Sequence, residues 1–230
     1  MSKSIFVVAA HPDDEVLGCG GTIARYAHDG VRVNVAFISD GVSSREGVDS
    51  GSAEFRAAQE ARRTAAYAAC GILGANIVFF GAYSDNRLDS VPLLDVIKTV
   101  EALFAQHRPE IVFTHHAHDL NVDHRLVHQA VETACRPCAG GTVKTAAFFE
   151  VPSSTEWRMP GNSTSFAPNW YVDISAWLDR KLRALEAYAV EVRDWPHPRS
   201  MRAVEYLARW RGATVGVDAA ESYVIGRQIS

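Results

Sequence analysis

IFVVAAHPDDEVLGCGG, residues 5 to 21, is the stretch of this chain that decides its fold. Its first six residues form a short apolar run, which predicts a buried β-strand. The run ends at His11, and three carboxylates follow, on Asp13, Asp14 and Glu15. A glycine-containing amphipathic segment comes next and predicts a helix. Polar groups crowded directly after a buried strand are hard to explain by folding alone, so this turn is the first candidate for a functional site.

The same alternation of apolar runs and amphipathic segments continues through the first 150 residues. Strands are predicted at residues 5–10, 31–38, 77–80, 111–114 and 145–150, where short runs are rich in Val, Ile and Phe. Helices are predicted at 17–28, 53–70, 92–106 and 123–135, and further along at 174–192 and 199–211, before a last strand at 222–227. This order predicts an α/β fold: a Rossmann-like parallel sheet covered by helices on both faces, in three layers.

Length and composition are those of an ordinary globular protein. The chain has 230 residues, of which 47% are hydrophobic and 22% charged, and no linker divides it. A single domain over residues 1–230 is therefore expected. Residues 152–169 are rich in Ser, Thr, Asn, Gly and Pro and include Trp157. They predict a surface excursion that covers a pocket.

Charge and hydropathy exclude several classes of partner. A net charge of -4 argues against a general nucleic-acid binder, which usually carries a basic patch. No apolar run approaches the roughly 20 residues of a membrane span, and no signal-peptide pattern opens the chain. We therefore expect a cytoplasmic protein with no stable membrane insertion. Cys135 and Cys138 form a C-x-x-C without a second one, so semi-buried thiols are a better interpretation than a redox or zinc site.

A second polar loop follows the fourth predicted strand, at residues 114–124. Ligands bind at the carboxyl ends of the strands in open parallel sheets, so both loops belong to one edge. A catalytic zinc typically takes three His or carboxylate ligands and keeps one open position. His11 and Asp14 are three residues apart, and His124 could supply the third ligand from the second loop. Asp13, beside a ligand, would then be free to act as general base.

Taken singly, each loop has a simpler interpretation. An Asp pair before a helix commonly caps it and interacts with its dipole, which would account for any one of the three carboxylates. The other histidines of the second loop, His115, His116 and His118, could be polar loop surface or help to position the loop. Two such loops, each after a predicted parallel strand, favour a metal-assisted hydrolase.

The motifs also resemble a known family. AHPDDE at residues 10–15, with D-x-N-x-D-H at 119–124, is similar to the PIG-L (LmbE-like) zinc-dependent deacetylases. Further likeness lies in Ser39-Asp40-Gly41 followed by Arg45, in the block from Arg56 to Asp85, and in residues 220–223. The resemblance implies removal of an N-acetyl group from an N-acetylglucosamine-containing small molecule. It implies zinc ligands at His11, Asp14 and His124, a general base at Asp13, a supporting carboxylate at Asp123, and sugar contacts at Arg56 and Asp85.

One position departs from the family. Many members have a histidine where this chain has Asn121, and that histidine stabilises the oxyanion or protonates the leaving amine. An asparagine amide donates a hydrogen bond but cannot deliver a proton at neutral pH. Asp13 could act as base and then as acid. Alternatively His197, held between two prolines, could reach over the metal as acid or oxyanion partner.

Three rival classes stay open at this stage. A metal-dependent amidase could act on a non-sugar N-acyl substrate. A dinucleotide-binding enzyme is suggested by Gly18, Gly20 and Gly21, although the carboxylates before them would repel a pyrophosphate. The third is a binding module without activity. Iron, cobalt or manganese would also suit the ligands, and a homo-oligomer is an option because members of the family often form closed oligomers.

Overall fold

The computed structural model describes residues 4–43, 52–159 and 165–229. Arg45 and residues 160–164 of the expected excursion lie outside the described residues. Seven strands form one sheet in the order β3-β2-β1-β4-β5-β7-β6. Their bounds are β1 Ser4–Ala9, β2 Arg32–Ser39, β3 Asn76–Tyr83, β4 Ile111–His115, β5 Thr145–Phe149, β6 Trp170–Asp173 and β7 Ala220–Gln228.

The five strands β1 to β5 are parallel, and β7 and β6 continue the sheet antiparallel beyond β5. The chain proceeds from β1 outward through β2 to β3, then returns to place β4 on the other side of β1. Strand order therefore reverses between β1 and β4. Such a reversal leaves a crevice at the carboxyl ends of the two strands, where ligands of open α/β sheets bind.

Helices cover both faces of the sheet. Their bounds are α1 Asp14–His28, α2 Ala53–Leu73, α3 Leu93–His107, α4 Val122–Ala134, α5 Leu178–Glu186 and α6 Met201–Ala213. Alternate residues of β1 serve the two layers: Val7 packs in the core with α1, α2, α5 and α6, whereas Val8 packs in the core with α3 and α4. The predicted three-layer α/β architecture is confirmed. None of the described helices has the length and apolar character of a bilayer span.

The elements of the last third differ from the sequence prediction. Strand β6 was missed, because four residues at a sheet edge carry too short a pattern to stand out beside the expected excursion. The helix predicted at 174–192 is α-helical only over Leu178–Glu186, and turns follow it. The final strand is longer than predicted and runs antiparallel to β5.

Helix α1 contains an interruption that the sequence did not predict. It begins at Asp14, and Cys19 breaks its helical geometry, with φ -149° and ψ 22°. The backbone groups that the break leaves without helical partners bind a buried ion pair. Lys181 donates to the carbonyl of Leu17, and Glu221 accepts from the backbone N–H groups of Gly21 and Thr22.

The glycines of α1 are explained by packing. A Cβ on Gly21 would lie 2.7 Å from the side chain of Ile174, and one on Gly18 would collide with the ring of Phe149. Both positions therefore require glycine for close approach of the helix to its neighbours. A phosphate-binding turn is not needed to account for them.

Candidate metal centre

The two polar loops meet at the carboxyl edge of β1 and β4. His11 follows β1, and Asp14 opens α1. His124 lies in the first turn of α4, where Asn121 is the N-cap residue. The Asn121 Oδ1 accepts hydrogen bonds from the backbone N–H groups of Asp123, at 2.8 Å, and His124, at 3.4 Å. Because this cap begins α4 at Val122, His124 lies in the first turn of the helix, where it faces the first loop.

Three side-chain atoms form a nearly equilateral triangle between these loops. His11 Nδ1 lies 3.3 Å from Asp14 Oδ2 and 3.3 Å from His124 Nε2, and His124 Nε2 lies 3.4 Å from Asp14 Oδ2. Tetrahedral coordination with zinc–nitrogen and zinc–oxygen bonds near 2.05 Å places ligand atoms about 3.3 Å apart. The exposed fractions of the three residues are 7%, 1% and 1%. The donor set and its spacing therefore fit one divalent transition-metal ion.

Carboxylates hold the outer nitrogen of His11. Its Nε2 lies 2.9 Å from Asp85 Oδ1 and 3.2 Å from Asp123 Oδ2. Asp123 is fully buried, and its two oxygens accept hydrogen bonds from the backbone N–H groups of Asn86 and Leu88. A carboxylate on the outer nitrogen of a ligating histidine fixes the ring and raises its basicity. Asp85 and Asp123 are placed to do this for His11.

The outer nitrogen of His124 is held in the same way by a residue that the sequence analysis did not single out. His124 Nδ1 lies 3.1 Å from Asp119 Oδ1. The side-chain hydroxyls of Ser154 and Thr155 donate to the Asp119 carboxylate, and its Oδ1 also accepts from the backbone N–H of Asn121 at 2.8 Å. Asp119 thus joins the second loop to the segment that follows β5.

Buried charge in this cluster favours a cation. Burial alone would lower the pKa of His124, but Asp14 and Asp119 raise it to about 9. The pKa of His11 is also raised well above its usual value against the effect of burial, by Asp123, Asp14 and Asp85. Burial raises the pKa of Asp14, but the charge of His124 brings it well below its ordinary value. The carboxylates therefore create a negative potential at the centre of the triangle.

His115 packs against the ring of His124. Its ring stacks on the ring of His124 with centroids 3.9 Å apart, and its Nε2 accepts the backbone N–H of Ala10 at 2.8 Å. Burial and the neighbouring charge of His124 lower the pKa of His115 well below the usual value, so this ring is neutral. The rings of His118 and Phe166 pack edge to face with the ring of His116, outside the triangle.

Asp13 lies beside the triangle with its carboxylate between two guanidinium groups. Its Oδ2 is 3.2 Å from Arg62 Nη2 and 3.5 Å from Arg199 Nη1. Burial raises the pKa of Asp13, and the charges of Arg62 and Arg199 oppose part of that rise. Arg62 also pairs with Glu191 at 2.5 Å. The carboxylate is thus oriented by arginines from α2 and from the segment before α6.

An open pocket of about 220 Å³ lies over these residues. Three arginines line it, together with acids and asparagines. Its lining residues are His11, Asp13, Asp14, Gly41, Arg62, Asp85, Asn86, Asn121, Glu191, Arg193 and Arg199. Sequence reasoning missed Arg62, Glu191, Arg193 and Arg199, since none of them belongs to a motif with its own spacing.

Of the predicted site residues, Asn121 lines the pocket, but its oxygen caps α4 and its amide donates to Asn86 Oδ1 at 2.9 Å. Two others lie elsewhere. His197 does not line the pocket: its ring meets Trp157 edge to face, and its Nδ1 accepts the backbone N–H of Arg199. Arg56 is exposed on α2 and does not line the pocket either, whereas Arg62 of the same helix does.

The C-x-x-C lies away from this site. Cys135 caps the C-terminus of α4 and is buried, and Cys138 is exposed. Burial raises the pKa of the Cys135 thiol to about 12, which leaves it unreactive at neutral pH. Within residues 4–43, 52–159 and 165–229, the side-chain groups spaced to hold a metal ion all include His11.

The sequence of this chain is similar to a family model and to several known proteins. The family model described as PIG-L: GlcNAc-PI de-N-acetylase matches residues 6–135. An uncharacterized deacetylase, YaiS, from Escherichia coli is 31% identical, covering 69% of this chain and 79% of its own. A 1D-myo-inositol 2-acetamido-2-deoxy-alpha-D-glucopyranoside deacetylase from Acidothermus cellulolyticus is 28% identical, covering 84% and 80%.

A hydratase and a solved deacetylase structure are also similar to this chain. A 4-oxalmesaconate hydratase from Pseudomonas putida is 30% identical over 85% of this chain and 76% of its own. The structure of N,N'-diacetylchitobiose deacetylase from Pyrococcus horikoshii superposes with a TM-score of 0.77 at 22% identity, covering 98% of this chain and 84% of that one, which shows the shared fold. Because the family model spans more than half of the sequence, the chain belongs to the PIG-L family.

Proposed function

We propose that this chain is a zinc-dependent N-deacetylase that hydrolyses the acetamide of an N-acetylated amino sugar or its conjugate. The observation that carries the proposal is the triangle of His11, Asp14 and His124, with Asp13 lining the same pocket as His11 and Asp14. Membership of the PIG-L family supports the reaction, and the names of two relatives, YaiS and the Acidothermus enzyme, support N-deacetylation.

The side chains of the site divide the chemistry between them. A divalent ion held by His11, Asp14 and His124 would polarise the acetamide carbonyl and make water easier to deprotonate. Asp13 takes the proton of the attacking water as general base. The same carboxyl delivers that proton to the nitrogen as the C–N bond of the tetrahedral carbon breaks, so that free amine and acetate leave. Among the described residues that line the pocket, His11 is the only histidine, so Asp13 carries out both proton transfers.

The lining of the pocket suits a polar substrate. Asn86, Asp85 and the guanidinium groups of Arg193 and Arg199 offer hydrogen-bonding partners for sugar hydroxyls. Aglycone recognition is assigned to the segment that carries Trp157, whose ring is about half exposed and packs against His197 at the surface. The sugar is thus bound by polar groups near the metal, and its substituent lies toward solvent.

A second candidate is the addition of water to an unsaturated carboxylic acid. It is favoured by two observations: the 30% identity to a 4-oxalmesaconate hydratase, and the three arginines that line the pocket. Guanidinium groups recognise carboxylates through paired hydrogen bonds. This reaction would also need a base for water, but no protonation of an amine, so the absence of the family's histidine at Asn121 would matter less.

One screen separates the two reactions. Metal-depleted protein is reloaded with Zn²⁺, Fe²⁺, Co²⁺ or Mn²⁺ and assayed for amine release from N-acetylglucosamine conjugates and from N-acyl amino acids. Hydration of unsaturated di- and tricarboxylates is followed in parallel. We expect metal-dependent amine release from the sugars, and Asp13→Asn should lower it by about 10²–10⁴-fold. The exposed Asp29 provides a control, Asp29→Asn. Hydration without amine release would contradict the proposal in favour of the second candidate.

A further inference from the structure

Asp13 has a backbone conformation that residues other than glycine rarely adopt. Its φ is 123° and its ψ is -27°. Among the described residues only three others besides glycine have positive φ, namely Asn86, Arg108 and Ser153, with values between 48° and 65°. Such a conformation persists only where the surrounding structure fixes it, and it recurs at functional sites. Something in the fold must therefore hold the Asp13 peptide.

Hydrogen bonds on both sides of Asp13 provide this restraint. The Asp13 carbonyl accepts from the N–H groups of Val16, at 3.0 Å, and Leu17, at 2.9 Å, in the first turn of α1. On the other side, the Asp13 N–H donates to Glu15 Oε2 at 2.9 Å. The hydrogen bonds accepted by the carbonyl are ordinary helix geometry. The hydrogen bond donated by the N–H is not, because a side chain two residues ahead turns back to accept it.

Glu15 is itself held from a distant part of the chain. The Tyr188 hydroxyl donates to Glu15 Oε1 at 2.7 Å, and Tyr188 follows α5, 173 positions further along. Both side chains are buried, with exposed fractions of 0% for Glu15 and 2% for Tyr188. The Arg62 guanidinium, which binds the Asp13 carboxylate, lies over the Tyr188 ring at 5.5 Å from its centroid.

A general preference for acids in the first turn of a helix does not explain this arrangement. That preference is an interaction with the helix dipole, and it is met by exposed carboxylates such as Glu54 in the first turn of α2. Glu15 is instead fully buried, and each of its carboxylate oxygens accepts one hydrogen bond, Oε2 from the Asp13 N–H and Oε1 from the Tyr188 hydroxyl. Its place is defined by the Asp13 peptide on one side and by Tyr188 on the other.

We infer that Glu15 and Tyr188 form a positioning pair, which fixes the Asp13 backbone so that its carboxylate points between the pocket and the two arginines. The inference rests on the proposed function in assigning Asp13 the proton transfer. Neither Glu15 nor Tyr188 touches the substrate, and both act through Asp13. Loss of the pair lets the Asp13 peptide relax to negative φ and turns its carboxylate away. The three metal ligands keep their own contacts.

Kinetics with matched variants test the pair. Glu15→Ala removes both hydrogen bonds, and Tyr188→Phe removes one hydroxyl while leaving the ring under Arg62. Glu15→Gln keeps an acceptor for the Asp13 N–H and a polar partner for Tyr188. Displacement of a catalytic group by about 1 Å costs about 100-fold in rate. We expect Glu15→Ala to lower kcat by about that factor with unchanged KM and zinc affinity, and Glu15→Gln to retain most of the wild-type kcat.

Three kinetic results would overturn the inference. One is a Glu15→Gln variant as slow as Glu15→Ala, which would give Glu15 a proton-transfer role instead. Another is a Glu15→Ala variant with wild-type kcat. The third is an equal loss in Glu54→Ala, the exposed first-turn acid of α2 that serves as control. Thermal unfolding checks each variant, and should Glu15→Ala fail to fold, Tyr188→Phe carries the same comparison because it removes a single oxygen.

A structural measurement keeps the inference separate from the proposed activity. Crystal structures of metal-free wild type, Glu15→Ala and Glu15→Gln report the Asp13 φ directly. We expect a positive φ in the wild type and Glu15→Gln, and a negative φ in Glu15→Ala. An Asp13 φ that stays positive in Glu15→Ala would contradict the positioning pair. If the wild type releases no amine from any substrate, the proposed function fails, while the φ values still decide this inference.

Discussion

His124 directs one ring nitrogen toward Asp14 and the other toward Asp119. The sequence predicted the first of these contacts from the spacing of the two loops. It could not predict the second, since Asp119 and Asp123 are both carboxylates a few residues from His124 in the same loop. The helix cap at Asn121 decides between them: it turns Asp123 toward His11 and leaves Asp119 beside His124.

Substitution of Asp119 tests this residue-scale assignment. Asp119→Asn keeps one oxygen for His124 Nδ1 and the Ser154 hydroxyl and turns an amide NH2 toward the Thr155 hydroxyl, but removes the negative charge. Because a carboxylate on the outer nitrogen makes a histidine a stronger ligand, we expect zinc affinity to fall by about 10- to 100-fold. Competition with a chelator of known affinity measures it. Asp95→Asn, an exposed acid in the first turn of α3, is the control, and equal affinities in both variants would refute the role of Asp119.

The arginines of α2 show why a correct helix prediction did not identify the residue in the pocket. Arg56 and Arg62 are six positions apart, and six residues rotate an α-helix by about 240°. The two side chains therefore point to different faces, and Arg62 is the one that reaches Asp13. The family resemblance pointed to Arg56, in a block where the match rests on loose spacing. The rotation of α2 against the sheet places Arg62 in the pocket lining.

At the scale of elements, the break in α1 depends on an ion pair from the last third of the chain. Lys181 Nζ and Glu221 Oε1 are 2.5 Å apart, and both side chains are 4% exposed. The same Lys181 Nζ donates to the carbonyl of Leu17, and the Glu221 carboxylate accepts from the N–H groups of Gly21 and Thr22, so the pair binds the backbone on both sides of Cys19. The sequence gives no sign of this coupling, because an interrupted helix and a buried Lys look like an ordinary amphipathic pattern. Lys181 lies in α5 and Glu221 in β7, so the ion pair connects α1 to both elements.

Removal of one partner should be costly at this site. Glu221→Ala leaves the Lys181 charge buried and the N–H groups of Gly21 and Thr22 without their acceptor, so we expect a loss of about 3–5 kcal/mol in the free energy of unfolding. Denaturant unfolding measures it. The surface pair of Glu205 and Arg209 on α6 is the matched control, and Glu205→Ala should cost at most about 0.5 kcal/mol. Similar losses in the two variants would show that the buried pair has no special role.

At the scale of the whole molecule, the regular alternation of strands and helices was enough to predict the parallel sheet and its covered faces. It also placed both polar loops at one edge, because every parallel strand ends there. The same alternation predicted neither the antiparallel direction of β7 nor the presence of β6. Their direction is set by where the chain emerges from α5 and α6, which depends on packing between distant elements and not on local periodicity.

The tertiary fold also supplies what the motifs omit. Arg62 and Glu15 come from the first third of the chain, whereas Arg199, Glu191 and Tyr188 come from the last. Together they surround Asp13, while the candidate metal ligands come from the two motif-bearing loops. The motifs therefore pointed to the side chains that form the triangle and to the acid next to them, and the fold determines how that acid is oriented.

The central claim is that His11, Asp14 and His124 hold one divalent ion. Anomalous diffraction at the zinc edge, from crystals of wild type and of His124→Ala grown with one equivalent of Zn²⁺, tests it most directly. We expect one strong peak in the wild type within about 2.0–2.2 Å of His11 Nδ1, Asp14 Oδ2 and His124 Nε2, and loss of that peak in the variant. A wild-type peak elsewhere, or no bound zinc, would contradict the account.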